Sequence, residues 1–273
     1  MHAKPPTVRE GFNPLVPIQM GTSLPFFCIH GAGGNVLNFR DIAVRLGADQ
    51  TFYGIQAAGV DGGPVLESIE EMVELYLPCV TRTQPEGPCI VGGYSGGGVV
   101  AFELAQRLIK MGRQVALLVL LDTFAPHVTP QNTSTKDHFD RLRRWGPGYL
   151  RNRLKARLDR HTEDLEVALK TRFYRSQNQP IPFELRDKYV SAALGEAALK
   201  YRPVPYNGRV ILYRATDVDP QFQHTGEKLG WDDLTPQLEI VRVPGNHDSL
   251  VYEPNVQVMI THLSESLRSV AGG

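Results

Sequence analysis

Cysteine is scarce in this 273-residue chain: Cys28, Cys79 and Cys89 are odd in number, not closely spaced, and each lies in an apolar stretch. That excludes a disulfide scaffold and points to buried free thiols in a reducing compartment. Long apolar runs are missing too. The longest, Val115 to Leu121, falls far short of the roughly 20 residues needed to cross a bilayer, and residues Met1 to Glu10 hold no apolar signal core. A soluble, cytoplasmic protein with no membrane partner is expected. Neither sign of charge dominates, since 29 basic residues face 29 acidic ones, which leaves no global basis for binding nucleic acid. The chain also lacks H-E-x-x-H, C-x-x-C and any close Asp/His set, so no metal and no other bound cofactor is expected.

What the chain does have is 42% hydrophobic residues over a length that buries a full core, organised as alternating strand-like and helix-period segments. Strands are expected at Leu15 to Gln19, Pro25 to His30, Thr51 to Gln56, Pro88 to Gly92, Gln114 to Asp122, Arg209 to Ala215 and Leu238 to Val243. Helices are expected at Val36 to Leu46, Glu67 to Thr83, Gly97 to Met111 and Asn255 to Val270. This alternation is the pattern of an α/β fold, a mostly parallel sheet flanked by helices. It breaks between about Phe124 and Asn207, where charged helical sequence replaces strands. We read residues 1–273 as one domain, with 124–207 as a helical lid inserted after a strand.

The chemistry is concentrated at Gly93-Tyr94-Ser95-Gly96-Gly97, which fits G-x-S-x-G. In a nucleophile elbow a sharp strand-to-helix turn lifts the serine hydroxyl clear of the sheet. An apolar strand precedes this turn, and Val99, Val100, Phe102, Leu104, Ala105, Leu108 and Ile109 follow at helical spacing, so the context matches the motif. Ser95 needs a base, and among eight histidines His247 stands in Val-Pro-Gly-Asn-His-Asp directly after the last strand, where a loop at the carboxyl edge of the sheet reaches the elbow. The acid that orients it is either Asp122, straight off the strand after the elbow helix, or Asp217 or Asp219 after the next strand. Gly31-Ala32-Gly33-Gly34 also invites a dinucleotide-binding reading. That fingerprint is incomplete, because Val36 stands at its third glycine and no acidic residue ends the following strand.

Taken together, the Asn13 to Gln19 entry, Phe26-Phe27-Cys28-Ile29-His30-Gly31-Ala32-Gly33-Gly34, the Gly-Tyr-Ser-Gly-Gly elbow, Leu-Leu-Asp-Thr and Val-Pro-Gly-Asn-His-Asp resemble, in order and spacing, the thioesterase domains that terminate nonribosomal peptide and polyketide synthases. The resemblance covers nearly the whole chain and implies an α/β-hydrolase fold. It implies Ser95 as nucleophile, His247 as base and Asp122 as acid, with the Gly96 and Ala32 backbone N–H groups as the oxyanion hole. The implied reaction is release of an acyl or peptidyl chain from the phosphopantetheine thioester of a carrier protein, by hydrolysis or cyclisation, with the acyl substrate and the carrier as the partners. A free-standing editing thioesterase that clears mis-acylated carriers, another serine esterase of the same fold, and a binding protein on an incompetent hydrolase scaffold are the alternatives.

The expected lid is basic, with twelve Lys and Arg against six Asp and Glu from Lys136 to Arg175. Leu150, Leu154, Leu158, Leu165 and Leu169 fall near one helical face, which turns Arg151, Arg153, Lys155 and Arg157 away from the expected apolar contact. Such a face is either simply solvated or a docking surface for an acidic carrier.

Overall fold

A computed structural model of the protein describes residues 8–130, 162 and 165–271. Its centre is a seven-stranded sheet made of β1 (Leu15–Gln19), β2 (Phe26–Ile29), β3 (Phe52–Ile55), β4 (Cys89–Tyr94), β5 (Val115–Leu121), β6 (Val210–Asp217) and β7 (Leu238–Asn246). The strands lie in the order β1-β3-β2-β4-β5-β6-β7, with β1 antiparallel to β3 and every other pair parallel. Parallel strands need crossovers, and helices α1 (Arg40–Arg45), α2 (Ile69–Thr83) and α3 (Gly96–Lys110) supply three of them.

The side-chain alternation of β2 shows why the sheet is covered on both faces. Phe27 and Ile29 join one apolar cluster with α2 and α3, through residues such as Tyr76, Val100 and Leu104. Phe26 and Cys28 join a second cluster, with Phe39 and Ile42 and with Val256, Met259 and Leu263 of the C-terminal helix Val256–Ala271. Each fully buried Leu, Ile, Val or Phe contributes about 1.5–3 kcal/mol, so neither face can be left open to water.

Several boundaries differ from the sequence reading, each for a local reason. The helix expected over Val36 to Leu46 is a 3₁₀ turn at Leu37–Phe39 followed by α1, because the Asn35 side chain accepts the Leu37 N–H at 3.2 Å and Val36 keeps a non-helical φ of −120°. α2 begins two residues later than Glu67, where the Ser68 hydroxyl accepts the Glu71 N–H at 3.2 Å as an N-cap. β4 does not stop at Gly92: Gly93 and Tyr94 stay in register with Leu120 and Leu121, so the strand runs up to Ser95 itself. β7 likewise runs on from Val243 to Asn246, paired with Asp217 past an irregularity in β6, and delivers the chain directly to His247.

Between β5 and β6 the described residues form a helical stretch over 165–176 and the helix Phe183–Lys200, with no strand. Leu150, Leu154, Leu158 and the basic run Arg151, Arg153, Lys155 and Arg157 lie outside the described residues. Leu165 and Leu169, expected on an apolar contact, are instead 57% and 60% exposed. The Phe183–Lys200 helix is seated on the elbow side of the sheet. A Cβ at Gly96 would stand 2.8 Å from Leu194, and one at Gly34 2.7 Å from Val190. Its C-terminal end is tied down where the Tyr201 hydroxyl donates to Glu103 of α3 at 2.7 Å.

Candidate active site

The strand order reverses at β2, which has β3 on one side and β4 on the other, and the elbow opens beside that crevice. Ser95 takes φ 54° and ψ −129°, a conformation that costs a non-glycine residue on the order of 1–3 kcal/mol. Its neighbours make the turn possible. A Cβ on Gly93 would run into the Gly97 carbonyl, and one on Gly97 into the His30 carbonyl, so α3 starts against the backbone of β2 and β4 with no room for side chains. The Ser95 N–H donates to the Leu121 carbonyl at 2.9 Å, which extends the ladder past the strand end and fixes the half-buried serine.

His247 Nε2 lies 2.9 Å from Ser95 Oγ, and His247 Nδ1 lies 2.8 Å from Asp122 Oδ2. An ionised carboxylate can only accept, so Nδ1 carries the proton of that bond, and in the neutral form of the ring Nε2 offers its lone pair to the serine hydroxyl. Asp122 is buried, at φ 44°, and its second oxygen Oδ1 accepts the Ala215 N–H at 2.8 Å. The three side chains proposed from the sequence therefore meet in one hydrogen-bonded line from a half-buried serine to a buried acid.

The two rival acids stand elsewhere. Asp219 caps the 3₁₀ turn Pro220–Thr225 by accepting the Gln221 N–H at 3.0 Å. Asp217 is exposed, and its nearest side-chain partner is the Thr216 hydroxyl at 3.4 Å.

The Gly31 to Gly34 segment is a tight turn closed by the Gly34 N–H on the Gly31 carbonyl at 3.0 Å, with Ala32 exposed at its tip. Gly96 is the first residue of α3, so the helix cannot satisfy its N–H from within. His30, fully buried beneath this turn, has Nδ1 2.6 Å from the Gly31 carbonyl and Nε2 3.2 Å from the Tyr76 hydroxyl. The carbonyl requires Nδ1–H, which leaves Nε2 to accept from Tyr76. Burial lowers the pKa of His30 to about 4, so it is a neutral prop for the turn. Among the described residues, no group of three or more His, Cys, Asp or Glu could hold a metal, and no helix is long and apolar enough to cross a membrane.

Residues 24–263 match the model of the thioesterase domain family. The chain belongs to that family. A relative named inactive atromentin synthetase invA6, from Paxillus involutus, is 29% identical over 268 residues, 89% of this chain and 27% of that protein. Atromentin synthetase invA5, from the same fungus, is 41% identical over 116 residues, 42% of this chain and 12% of its own length. This thioesterase-family chain thus spans about a quarter or less of these curated relatives. Among solved structures, a four-domain nonribosomal peptide synthetase bound to AMP and glycine is 27% identical with TM-score 0.67, matching 92% of this chain and 20% of that one. The NocB thioesterase domain, in covalent complex with a fluorophosphonate nocardicin G analogue, matches 93% of this chain and 96% of its own at 23% identity and TM-score 0.59. The family and these neighbours make the fold an α/β-hydrolase fold.

Two parts of this site escaped the sequence reading. Ala215 holds Asp122 through backbone alone, which no residue type announces. Tyr94, the variable residue of the motif, donates its hydroxyl to the His247 carbonyl at 2.7 Å.

Proposed function

We propose that this thioesterase-family chain releases an acyl or peptidyl chain from a carrier-protein phosphopantetheine thioester through an acyl-serine intermediate. The observation that carries the reading is the Ser95–His247–Asp122 line, with 2.9 Å and 2.8 Å hydrogen bonds and both ring nitrogens engaged. His247 Nε2 removes the Ser95 proton as Oγ attacks the thioester carbonyl. Asp122 holds the ring in the tautomer this needs and stabilises the imidazolium. The tetrahedral oxyanion is held by the Gly96 and Ala32 N–H groups, each worth about 2.7–4 kcal/mol by analogy with lost oxyanion donors. Collapse expels the pantetheine thiolate, which takes the proton back from His247 and leaves the acyl-Ser95 ester. Water or a nucleophile of the acyl chain then attacks that ester with His247 again as base, so hydrolysis and cyclisation use the same residues.

The carrier protein and the acyl chain are the partners on this reading, and the substrate brings the phosphopantetheine. The helix Phe183–Lys200, with Leu194 against Gly96, would serve as part of a lid over the acyl chain. The reading is tested by mixing the protein with a fluorophosphonate and measuring intact mass, then mapping the adduct. An adduct on Ser95 that is lost in Ser95→Ala supports it, while absence of any adduct in the native protein overturns it in favour of a binding role.

A further inference from the structure

β4 is buried along its length, and its last residue, Tyr94, is 9% exposed and belongs to the same apolar cluster as Ile90 of that strand. A strand end packed in this way needs only an apolar side chain. Tyr94 makes three further contacts, and each reaches a different part of the site. Its ring lies against the His247 imidazole, with centroids 5.3 Å apart and planes 21° from parallel. Its hydroxyl donates to the His247 carbonyl at 2.7 Å. Its ring edge also occupies the space beside Gly31, where a Cβ would stand 2.7 Å from Tyr94 Cδ1. Burial, with Asp248 and Asp122 nearby, pushes the phenol pKa well up, so the group stays a neutral donor throughout the working range.

We propose that Tyr94 is a positioning residue: one side chain, joined by a peptide bond to Ser95, clamps the loop that carries His247 against the turn that carries Ala32. The proposal rests on the reading of Ser95 and His247 as nucleophile and base. The hydroxyl fixes the backbone of His247, and the ring face limits rotation of the imidazole about its side-chain bonds. The parallel ring also favours the imidazolium that forms when His247 takes the serine proton. Asn246 and Asp248, on either side of His247, are exposed. The Asn246 side chain closes the turn locally by accepting the Asp248 and Ser249 N–H groups at 3.1 and 3.0 Å, so Tyr94 adds a tie from this turn to the elbow strand. A preorganised base acts on kcat and leaves ground-state binding alone.

The test compares Tyr94→Phe, Tyr94→Leu and Ser95→Ala with the native protein, using the rate constant for fluorophosphonate labelling, kcat and KM on a small soluble thioester, and the melting temperature. Tyr94→Phe keeps the ring and removes one oxygen. It is expected to lower labelling rate and kcat together by about tenfold, with KM within about twofold and melting within about 2 °C. Tyr94→Leu is expected to lose about a hundredfold in the same two rates. Native rates in Tyr94→Phe, or a loss that appears in KM or tracks the melting temperature, would overturn the clamp. If Tyr94→Leu does not fold, the single-oxygen variant decides alone. Labelling that persists in Ser95→Ala would sink the underlying nucleophile assignment, a failure distinct from that of Tyr94.

Discussion

Ala215 donates its backbone N–H to Asp122 Oδ1 at 2.8 Å, which leaves Oδ2 for His247 and fixes the plane of the carboxylate. Because the donor is main chain of β6, the acid is aimed by the sheet itself. An amide at 122 that donated to His247 would trap the opposite ring tautomer, with its proton on Nε2 facing the serine. Asp122→Asn is therefore expected to lower kcat on a soluble thioester by orders of magnitude, roughly 10⁴-fold by the precedent of serine triads. Asp217→Asn and Asp219→Asn are expected to stay within a few-fold of the native rate, and steady-state kinetics of the three variants checks the asymmetry.

Ser95→Ala and His247→Ala should each abolish the acyl-enzyme, since the members of such a line act as a unit. Intact mass after brief exposure to substrate is the measurement. Substantial acyl-enzyme in either folded variant would contradict the proposed mechanism.

Acid should weaken the fold through His30. Burial lowers its pKa from an ordinary 6.5 to about 4, so between those values the unfolded chain binds a proton that the folded one does not. Stability is then full above pH 6.5 and falls as pH drops toward 4, by on the order of 3 kcal/mol from this one residue. His30→Asn can keep a donor for the Gly31 carbonyl and does not titrate. Its urea midpoint is expected to decline less between pH 7 and pH 5 than that of the native protein, whatever its absolute value.

Close approach of backbone makes Gly97 the most sensitive glycine of the elbow, because a methyl there meets the His30 carbonyl and cannot be relieved by rotating a side chain. Gly97→Ala is expected to lower the melting temperature by more than about 5 °C, or to leave no folded protein. Gly112→Ala is the contrast for crowding. Nothing lies within 4 Å of its Cβ, and its cost comes from a φ of +77° alone.

Sequence made the strands and the elbow serine legible for one reason: both are local patterns. A short apolar run, Cys89 to Val91, before a glycine turn, and helical spacing after it, are written in consecutive positions around Ser95. His247 was legible because the loop after the last strand has few places to go. The acid was not decided by the residues alone, since Asp122 and Asp217 both follow strands. The resemblance favoured Asp122, but only the β5–β6–β7 geometry shows a carboxylate leaning across β6 to reach His247. The extension of β4 through Gly93 and Tyr94 was missed because glycine reads as a break, whereas pairing with Leu120 and Leu121 keeps it in the sheet. Tyr94 was invisible as a contact to His247, 153 residues away, since nothing in the motif specifies what its second residue must touch.

Asp122 and Ala215 are neighbours in space but 93 residues apart in the chain, and Ser95 and His247 are 152 apart. The segment that leaves β5 returns to pair with it as β6, and β7, which leads to the histidine, pairs in turn with β6. The partner of the Ser95 hydroxyl is thus supplied only by the chain that leaves the edge strand β7. On the proposed mechanism, reactivity at Ser95 needs both distant segments in place, so labelling of that serine reports whether β6 and β7 are docked.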